Sequence, residues 1–437
     1  MRVLVVVAVV LLVVTGCGGL GAEPAANALV TMGFGQPDEH ATARVAVFRA
    51  ANPDVDVRIN EGAFDEQQFL SAVAAGDPPD LVYAERRKLG SYAARGAVLS
   101  LADCVREHHV DLGQFRAAAL RQVTHRGEVH GLPDFSVVRL LIVNNPVVRA
   151  AGLDPAALST TDWTALAEAT DRLAVLDGNR PRRIGFDPKV PEYLPLWAKA
   201  NGVDLVRGDE VHLDDPAVVE AVRFTTDLVR RQGGWASFKA FRDTFDQFGA
   251  DNAYVTGRLA AMPMDSWYLN TLAANSPDVD VTVAPFTDRA GTPITESSGQ
   301  AWAIPKGARH PDLACRFLTT MTNADTWVLA ATARRDALAR AGKPYGGTFT
   351  ANRVADERIF REVFAPGGNR VLARAVPQVL ALQDKAFVVE PSPAASELVR
   401  AWEGGVNRVL TGRQPPDEAM AQAQREAERA LDRVGGR

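Results

Sequence analysis

A chain of 437 residues exceeds the roughly 250–300 at which a single hydrophobic core stops growing, so more than one compact unit is expected. Its content of 47% hydrophobic and 23% charged residues excludes wholesale disorder. The formal net charge is −5 and the Lys and Arg residues are scattered rather than gathered into a stripe, which argues against nucleic acid as a partner.

Arg2 precedes an uninterrupted apolar run over residues 3–14. That run has the length of a signal-peptide core and is shorter than the roughly 20 residues of a spanning helix. Val14-Thr15-Gly16-Cys17 then matches the bacterial lipoprotein processing box. Residues 1–16 are therefore expected to be removed and Cys17 to carry lipid, an ordinary signal peptide being the alternative. Residues 17–27, rich in small residues and proline, read as a tether with nothing to pack.

Residues 28–34 read as a first strand, followed by a loop and by Asp38 as a helix cap. The helix places Ala41, Val45 and Phe48 on one face and stops at Pro53. Residues 55–59 alternate as a half-buried strand, Phe69, Leu70, Val73 and Ala74 line a second helix, and residues 80–84 form a short strand. This alternation implies a parallel sheet covered on both faces. Gly127-Glu128-Val129-His130-Gly131 fits a short hairpin, and Pro133 blocks a helix. Val137, Val138 and residues 140–143 then form a strand buried on both faces, interrupted by Arg139, which is expensive there unless paired. Asn144-Asn145-Pro146 closes it, and the chain is read as crossing here from one unit to another. Thr161-Asp162 caps a further helix in which Trp163 is expected to be core. Residues 275–281 echo residues 51–57, which allows a repeated unit or a coincidence. Residues 394–410 and a charged segment capped by Asp417 read as the last two helices.

Catalytic motifs are scarce: there is no GxSxG, Walker A, HExxH or complete GxGxxG. His108 and His109 are adjacent, point about 100° apart on a helix, and suit a solvated face better than a metal. Cys104 and Cys315 permit one bridge, and a disulfide and two buried thiols both remain open.

Residues 127–146 resemble the G-x-x-y-G-L-P crossover of the extracellular solute-binding proteins that serve ABC sugar importers, the group containing the maltodextrin-binding proteins. The chain departs from that pattern at Val143 and Asn145, where an aromatic and a lysine are usual. Residues 193–202, 255–267 and 298–307 resemble, in order, the family's aromatic helix, its G-k-x-A-M…W segment and its return strand. The resemblance implies an α/β, two-lobe periplasmic-binding-protein-like fold with parallel-rich sheets, a cleft between the lobes and a multi-strand hinge. Lobe 1 would comprise residues 28–138 and 300–348, holding both Cys104 and Cys315, and lobe 2 residues 139–299 and 349–437. The implied function is that of a lipid-anchored, extracytoplasmic, monomeric component of an ABC importer. It would capture a mono- or oligosaccharide and deliver it to a membrane permease, with no reaction, cofactor or metal and no membrane contact beyond the lipid. A secreted glycoside hydrolase and a sensory or adhesive lipoprotein on the same fold are the alternatives.

Sugars present apolar faces edged with hydroxyls, so their sites need flat rings and planar polar groups. By the resemblance Trp267 occupies the position of a stacking tryptophan. Asp265 beside it is expected to accept hydroxyl protons or cap a helix, and Trp302 to meet ligand or pack in the hinge. In the first lobe Gln36, Asp38 and Glu39 follow the first strand, where open α/β sheets place ligand loops, and Phe64 and Asp65 lie in the next loop. Arg87, in the charged run 85–88, would favour an acidic sugar or sit on a solvated helix start. Tyr193 of the aromatic helix completes the set.

Overall fold

The computed structural model describes residues 27–435 apart from 36, 37 and 209, so the signal sequence, Cys17 and Gln36 lie outside the described residues. Strand β1 (Ala28–Met32), β2 (Asp56–Ile59) and β3 (Leu81–Glu85) alternate with helices Glu39–Ala51 and Glu66–Ala75, as the periodicity requires. A hairpin of β4 (Thr124–His125) and β5 (Glu128–Val129) turns through Arg126 and Gly127, both at positive φ. Next come β6 (Leu132–Pro133), β7 (Arg139–Asn144), β8 (Val175–Asp177) and β9 (Arg180–Phe186). After a small hairpin of β10 (Val206–Arg207) and β11 (Glu210–Val211) follow β12 (Leu259–Asp265), β13 (Val281–Thr287), β14 (Pro293–Ile294) and β15 (Gln300–Ala303).

Two large sheets result, and each is the centre of one lobe. The first runs β2-β1-β3-β15-β6, with β2, β1 and β3 parallel and β15 antiparallel to β3. The second runs β14-β13-β7-β12-β9-β8 and has one parallel pair, β12 with β9. In both sheets two parallel strands are followed by an antiparallel strand that has crossed from the other lobe: β15 in the first, β7 in the second. The echoed segments are not a structural repeat, because β2 lies parallel to β1 at an edge whereas β13 lies antiparallel to β7 inside its sheet.

Strand β7 shows why an unbroken apolar run belongs in the middle of a sheet. Leu141 and Val143 enter one core with Trp163 and Trp197, while Leu140 and Ile142 enter the other with Tyr268 and Leu272. Trp163 is buried and stacks on Phe224, as expected of a core residue.

Three segments cross between the lobes. Residues 134–138 connect β6 to β7, and within them Phe135 pairs with Thr350 and Val137 with Ser298, just before β15. Gly299 stands at φ 145°, and a Cβ there would sit 2.2 Å from the Phe135 carbonyl, so the two crossings can approach only at a glycine. Arg86, fully buried, donates to Gln122 Oε1 at 3.1 Å, to the Ser298 carbonyl at 2.8 Å and to the Phe135 carbonyl, joining the first lobe to both segments.

The third crossing begins near the expected division at residue 348 and is shared between the lobes over the residues that follow. Ala355, Ile359 and Val363 share a core with Trp327, whose helix Ala324–Arg340 packs on helix Glu39–Ala51 of the first lobe. Phe349 already enters the second-lobe core with Phe360 and Phe364 against it, and helix Arg370–Gln383 continues it through Leu372, Ala375, Val376 and Val379. Helix Ala395–Leu410 then touches both lobes, with Trp402 in the second-lobe core and Ser396 Oγ 3.3 Å from Ser91 Oγ of the first.

Cys104 and Cys315 form a disulfide across a sequence separation of 211, both in the first-lobe core. It fastens the return segment after the second crossing to the chain before the first, a constraint typically worth about 2–4 kcal/mol.

Buried ion pairs hold the first lobe to the connector and to the late segment. Arg44 meets Asp134 at 2.6 Å beneath the Trp327 ring, and Arg116 meets Asp356 at 2.7 Å. Burial pushes the Asp356 carboxyl up from 3.8 to about 6, against the opposing pull of Arg116 and the Thr350 hydrogen bonds. A carboxyl raised in the folded state contributes stability that is present below its unfolded pKa and lost as pH rises through the folded one. Between about pH 4 and pH 7 the wild type is therefore expected to lose on the order of 2 kcal/mol relative to Asp356→Asn. Urea unfolding at each pH measures this; parallel profiles would show that Arg116 keeps Asp356 ionised throughout.

Candidate ligand-binding cleft

Two adjoining cavities of about 400 and 320 Å³ lie between the lobes and share Phe135, Val137 and Trp267 as walls. Trp267 is placed by the end of β12. There the Ser266 amide donates to the Val138 carbonyl at 2.8 Å, and the Val138 amide donates to Ser266 Oγ at 3.3 Å, locking the strand end to the crossing. The next residue, Trp267, opens helix Tyr268–Asn275 with its indole half-buried, edge-on to Tyr268 and near-parallel to Phe248. A flat ring facing both cavities is the feature a sugar face requires.

Around the larger cavity stand polar groups of both lobes: Arg87 and Gln122 from the first, Asp265 and Glu192 from the second, with Arg139 and Glu296 beneath. Arg139 is 3% exposed, pairs with Glu296, approaches Asp265 at 3.5 Å and lies 3.8 Å over the Tyr193 ring. Burial pulls the Arg139 guanidinium pKa down, but Glu296, Tyr193 and Asp265 outweigh it and the net direction is up, so the arginine stays charged. The cost of an arginine in a buried strand is thus offset by two carboxylates and a ring. One of those carboxylates, Asp265, also lines the cavity.

The smaller cavity is walled by a chain of hydrogen bonds. Asp38 Oδ2 lies 3.2 Å from His40 Nδ1, His40 Nε2 lies 2.5 Å from Thr348 Oγ1, and the Tyr345 hydroxyl lies 2.8 Å from the same oxygen. Burial would raise the Asp38 carboxyl, but the His40 contact, the Ala41 amide and Arg334 hold it well below the usual carboxylate range. Thr348 is buried and already bonded on both sides, so the chain acts as a wall rather than as a nucleophile.

Of the residues singled out from sequence, Trp267, Asp265, Arg87 and Asp38 line the cleft. Arg87 is held by Glu85 at 2.9 Å, and Asp38 also caps its helix by accepting from the Ala41 amide. Glu39 stands one step back, paired with Arg334, which itself lines the smaller cavity. Four expectations are corrected. Trp302 is fully buried among Phe34, Tyr83 and Phe317, because β15 alternates and turns Ala301 and Ala303 to one core and Trp302 to the other. Tyr193 is buried behind Arg139 and supports the site without facing it. Phe64 packs on Phe69 and Tyr92, and Asp65 caps helix Glu66–Ala75 through the Gln68 amide; neither lines either of the two cleft cavities. Gln122, Glu192, Glu296, His40, Asn270 and Thr348 were not foreseen. Only Arg139, whose need for a carboxylate was evident, pointed towards any of them.

The fold and the cleft define a two-lobe protein built to enclose a ligand between its halves. Residues 43–337 match the bacterial extracellular solute-binding proteins, and the chain belongs to that family of binding proteins, which acts outside the cytoplasm. It is similar to the arabinooligosaccharide-binding protein of Bacillus subtilis (strain 168), 20% identical over 281 residues that cover 61% of this chain and 62% of that protein. The chain thus spans under two thirds of the length of this curated relative. Among solved structures, mannotriose-bound CpMnBP1 superposes with a TM-score of 0.74 at 21% identity, over 92% of this chain and 99% of that one. The ABC substrate-binding protein Lmo0181 from Listeria monocytogenes, in complex with cycloalternan, gives 0.73 at 16% identity over 94% and 98%. At such identities these likenesses establish the fold. Among the described residues no helix is long and apolar enough to cross a membrane.

Proposed function

We propose that this protein is the lipid-anchored substrate-binding component of an ABC importer and captures an oligosaccharide between its lobes for delivery to membrane permease subunits. The observation that carries the proposal is the Trp267 indole, set as a common wall of two cavities and ringed by planar and charged groups from both lobes. Support comes from the relative named for arabinooligosaccharide binding and from the structures solved with mannotriose and cycloalternan. Arg87, Gln122, Asp265 and Glu192 would bond hydroxyls at the rim of a ring stacked on Trp267. Because those groups come from opposite lobes, a ligand touching both favours the closed arrangement, and that differential contact drives closure.

A thermal-shift screen of the mature chain over neutral mono- and oligosaccharides tests the proposal. Ligand that binds only the folded state raises apparent stability, by about 2.7 kcal/mol at a hundredfold excess over Kd. At least one oligosaccharide is expected to stabilise the protein, and stabilisation by none of them would refute a carbohydrate ligand. The anchor is tested separately: Cys17→Ser should release the protein from the membrane fraction or leave it unprocessed. Unchanged membrane retention with normal processing would remove Cys17 from the account.

A further inference from the structure

The charges around the larger cleft cavity do not balance. Four carboxylates line it, Glu85, Glu192, Asp265 and Glu296, against two guanidiniums, Arg87 and Arg139. The basic run 86–88 does not restore the balance: Arg86 is turned inside to hold the crossing, Lys88 faces Glu66 at 3.5 Å, and Arg87 is taken by Glu85 at 2.9 Å. Arg139 is taken by Glu296, with Asp265 at 3.5 Å. On the far side of Glu192, Arg242 turns to Asp187 at 3.6 Å and Lys189 lies over the Tyr193 ring at 5.8 Å. Glu192 is left exposed at the cavity wall with no ion pair among the described residues.

Two buried side chains of the same wall keep an atom without a partner. Glu296 is 1% exposed, and Arg139 occupies its Oε2, while Oε1 meets no donor among the described residues. Gln122 is 2% exposed; its Oε1 accepts from Arg86 Nε at 3.1 Å, and its Nε2 meets no acceptor. A buried carboxylate oxygen that lines a cavity and lacks a donor is an acceptor held for what fills that cavity. The field there is negative. Burial pushes the Glu296 carboxyl above its ordinary value against the pull of Arg139 and Arg87, and Asp265 and Glu192 push it the same way. Burial likewise raises Glu403 of helix Ala395–Leu410, with Arg87 and Lys88 opposing and Glu192 and Glu85 adding to it. Among the described residues no group of acidic side chains is placed to hold a metal ion, so the cation that suits them is carried on a larger ligand.

We infer that the cleft selects a sugar bearing a free primary amine, its ammonium lying among Glu192, Asp265 and Glu296 while its ring meets Trp267. The inference rests on the carbohydrate function proposed above. An ammonium brings three donors, no acceptor and a positive charge to a wall rich in acceptors. A hydroxyl in its place brings one donor and no charge, and N-acetylation removes the charge and adds a carbonyl. The same field disfavours an acidic sugar, the ligand that the basic run suggests when read as text.

The test is calorimetric titration of the mature chain at low salt with matched sets of sugars: glucosamine, N-acetylglucosamine and glucose, the corresponding galactose and mannose sets, and the β-1,4-linked disaccharides of the glucose set. In at least one set the amine is expected to bind about tenfold or more tightly than both partners, the scale of one hydrogen bond to a charged group. Added salt should shrink that advantage. In Glu192→Gln the amine-to-hydroxyl affinity ratio should fall by about fivefold to tenfold, and because Glu192 is exposed the thermal midpoint without ligand should hold. Amines bound no better than their partners in every set, or a variant that weakens amine and hydroxyl forms equally, would overturn the selection while leaving carbohydrate capture intact. Capture of neutral oligosaccharides with no amino sugar bound would do the same. Binding of neither kind would overturn both.

Discussion

Trp267→Ala is expected to weaken oligosaccharide binding by at least about thirtyfold, which is 2 kcal/mol or more, the scale of a desolvated aromatic anchor. The indole is the larger of the two aromatic rings common to both cleft cavities, the other being Phe135. Stability should fall much less, because Trp267 is half-buried at the margin of the second-lobe core, whereas Tyr268 beside it is buried within that core. Titration calorimetry and thermal unfolding on the same variant separate the two effects. Near-normal affinity with a badly destabilised fold would make Trp267 a packing residue, and Trp302 could not take its place since it is enclosed in the first lobe.

A second large effect is expected at the crossing. Arg86→Met should cost about 3–5 kcal/mol of stability, because it strips donors from buried and half-buried acceptors. Those acceptors are the carbonyls of Phe135 and Ser298, one on each crossing segment, together with Gln122 Oε1 and Ser297 Oγ. Burial pulls the guanidinium down to about 10, opposed by Tyr83 and Asp134, which leaves it charged at neutral pH. Arg86→Lys should rescue little, since an ammonium cannot span acceptors laid out for a planar fork. Urea unfolding midpoints measure both variants; a lysine variant as stable as the wild type would show that charge, not the fork, holds the crossing.

Much of this architecture is legible in the sequence wherever local period and burial agree. The strand–helix alternation over residues 28–85, the apolar run of β7 and the glycine turn at Gly127 each specify their own geometry. Arg139 also announced itself, because an arginine inside a buried strand demands a partner. Its partner did not, since Glu296 lies 157 residues away and carries no local mark. The run 85–88 shows the limit most clearly. As text it is four charged residues, but a helix turns about 100° per residue. That rotation sends Arg86 fully inside to hold the crossing, keeps Arg87 at the cleft, and leaves Lys88 facing Glu66 at 3.5 Å. Trp302 fails for a related reason: a strand's period says that Trp302 and its alanine neighbours point apart, not which side is the cleft. The late crossing was hidden because helix Arg353–Arg358 is short and its sequence carries no mark of the lobe it meets, so only packing with Trp327 assigns it.

The most direct test of the central claim is a crystal structure of the mature chain with a bound oligosaccharide. The account requires a sugar ring stacked on the Trp267 indole, with hydroxyls bonded by groups of the first lobe, among them Gln122 or Arg87, and of the second, among them Asp265 or Glu192. A ligand seated away from Trp267, or contacted by one lobe alone, would contradict capture between the lobes.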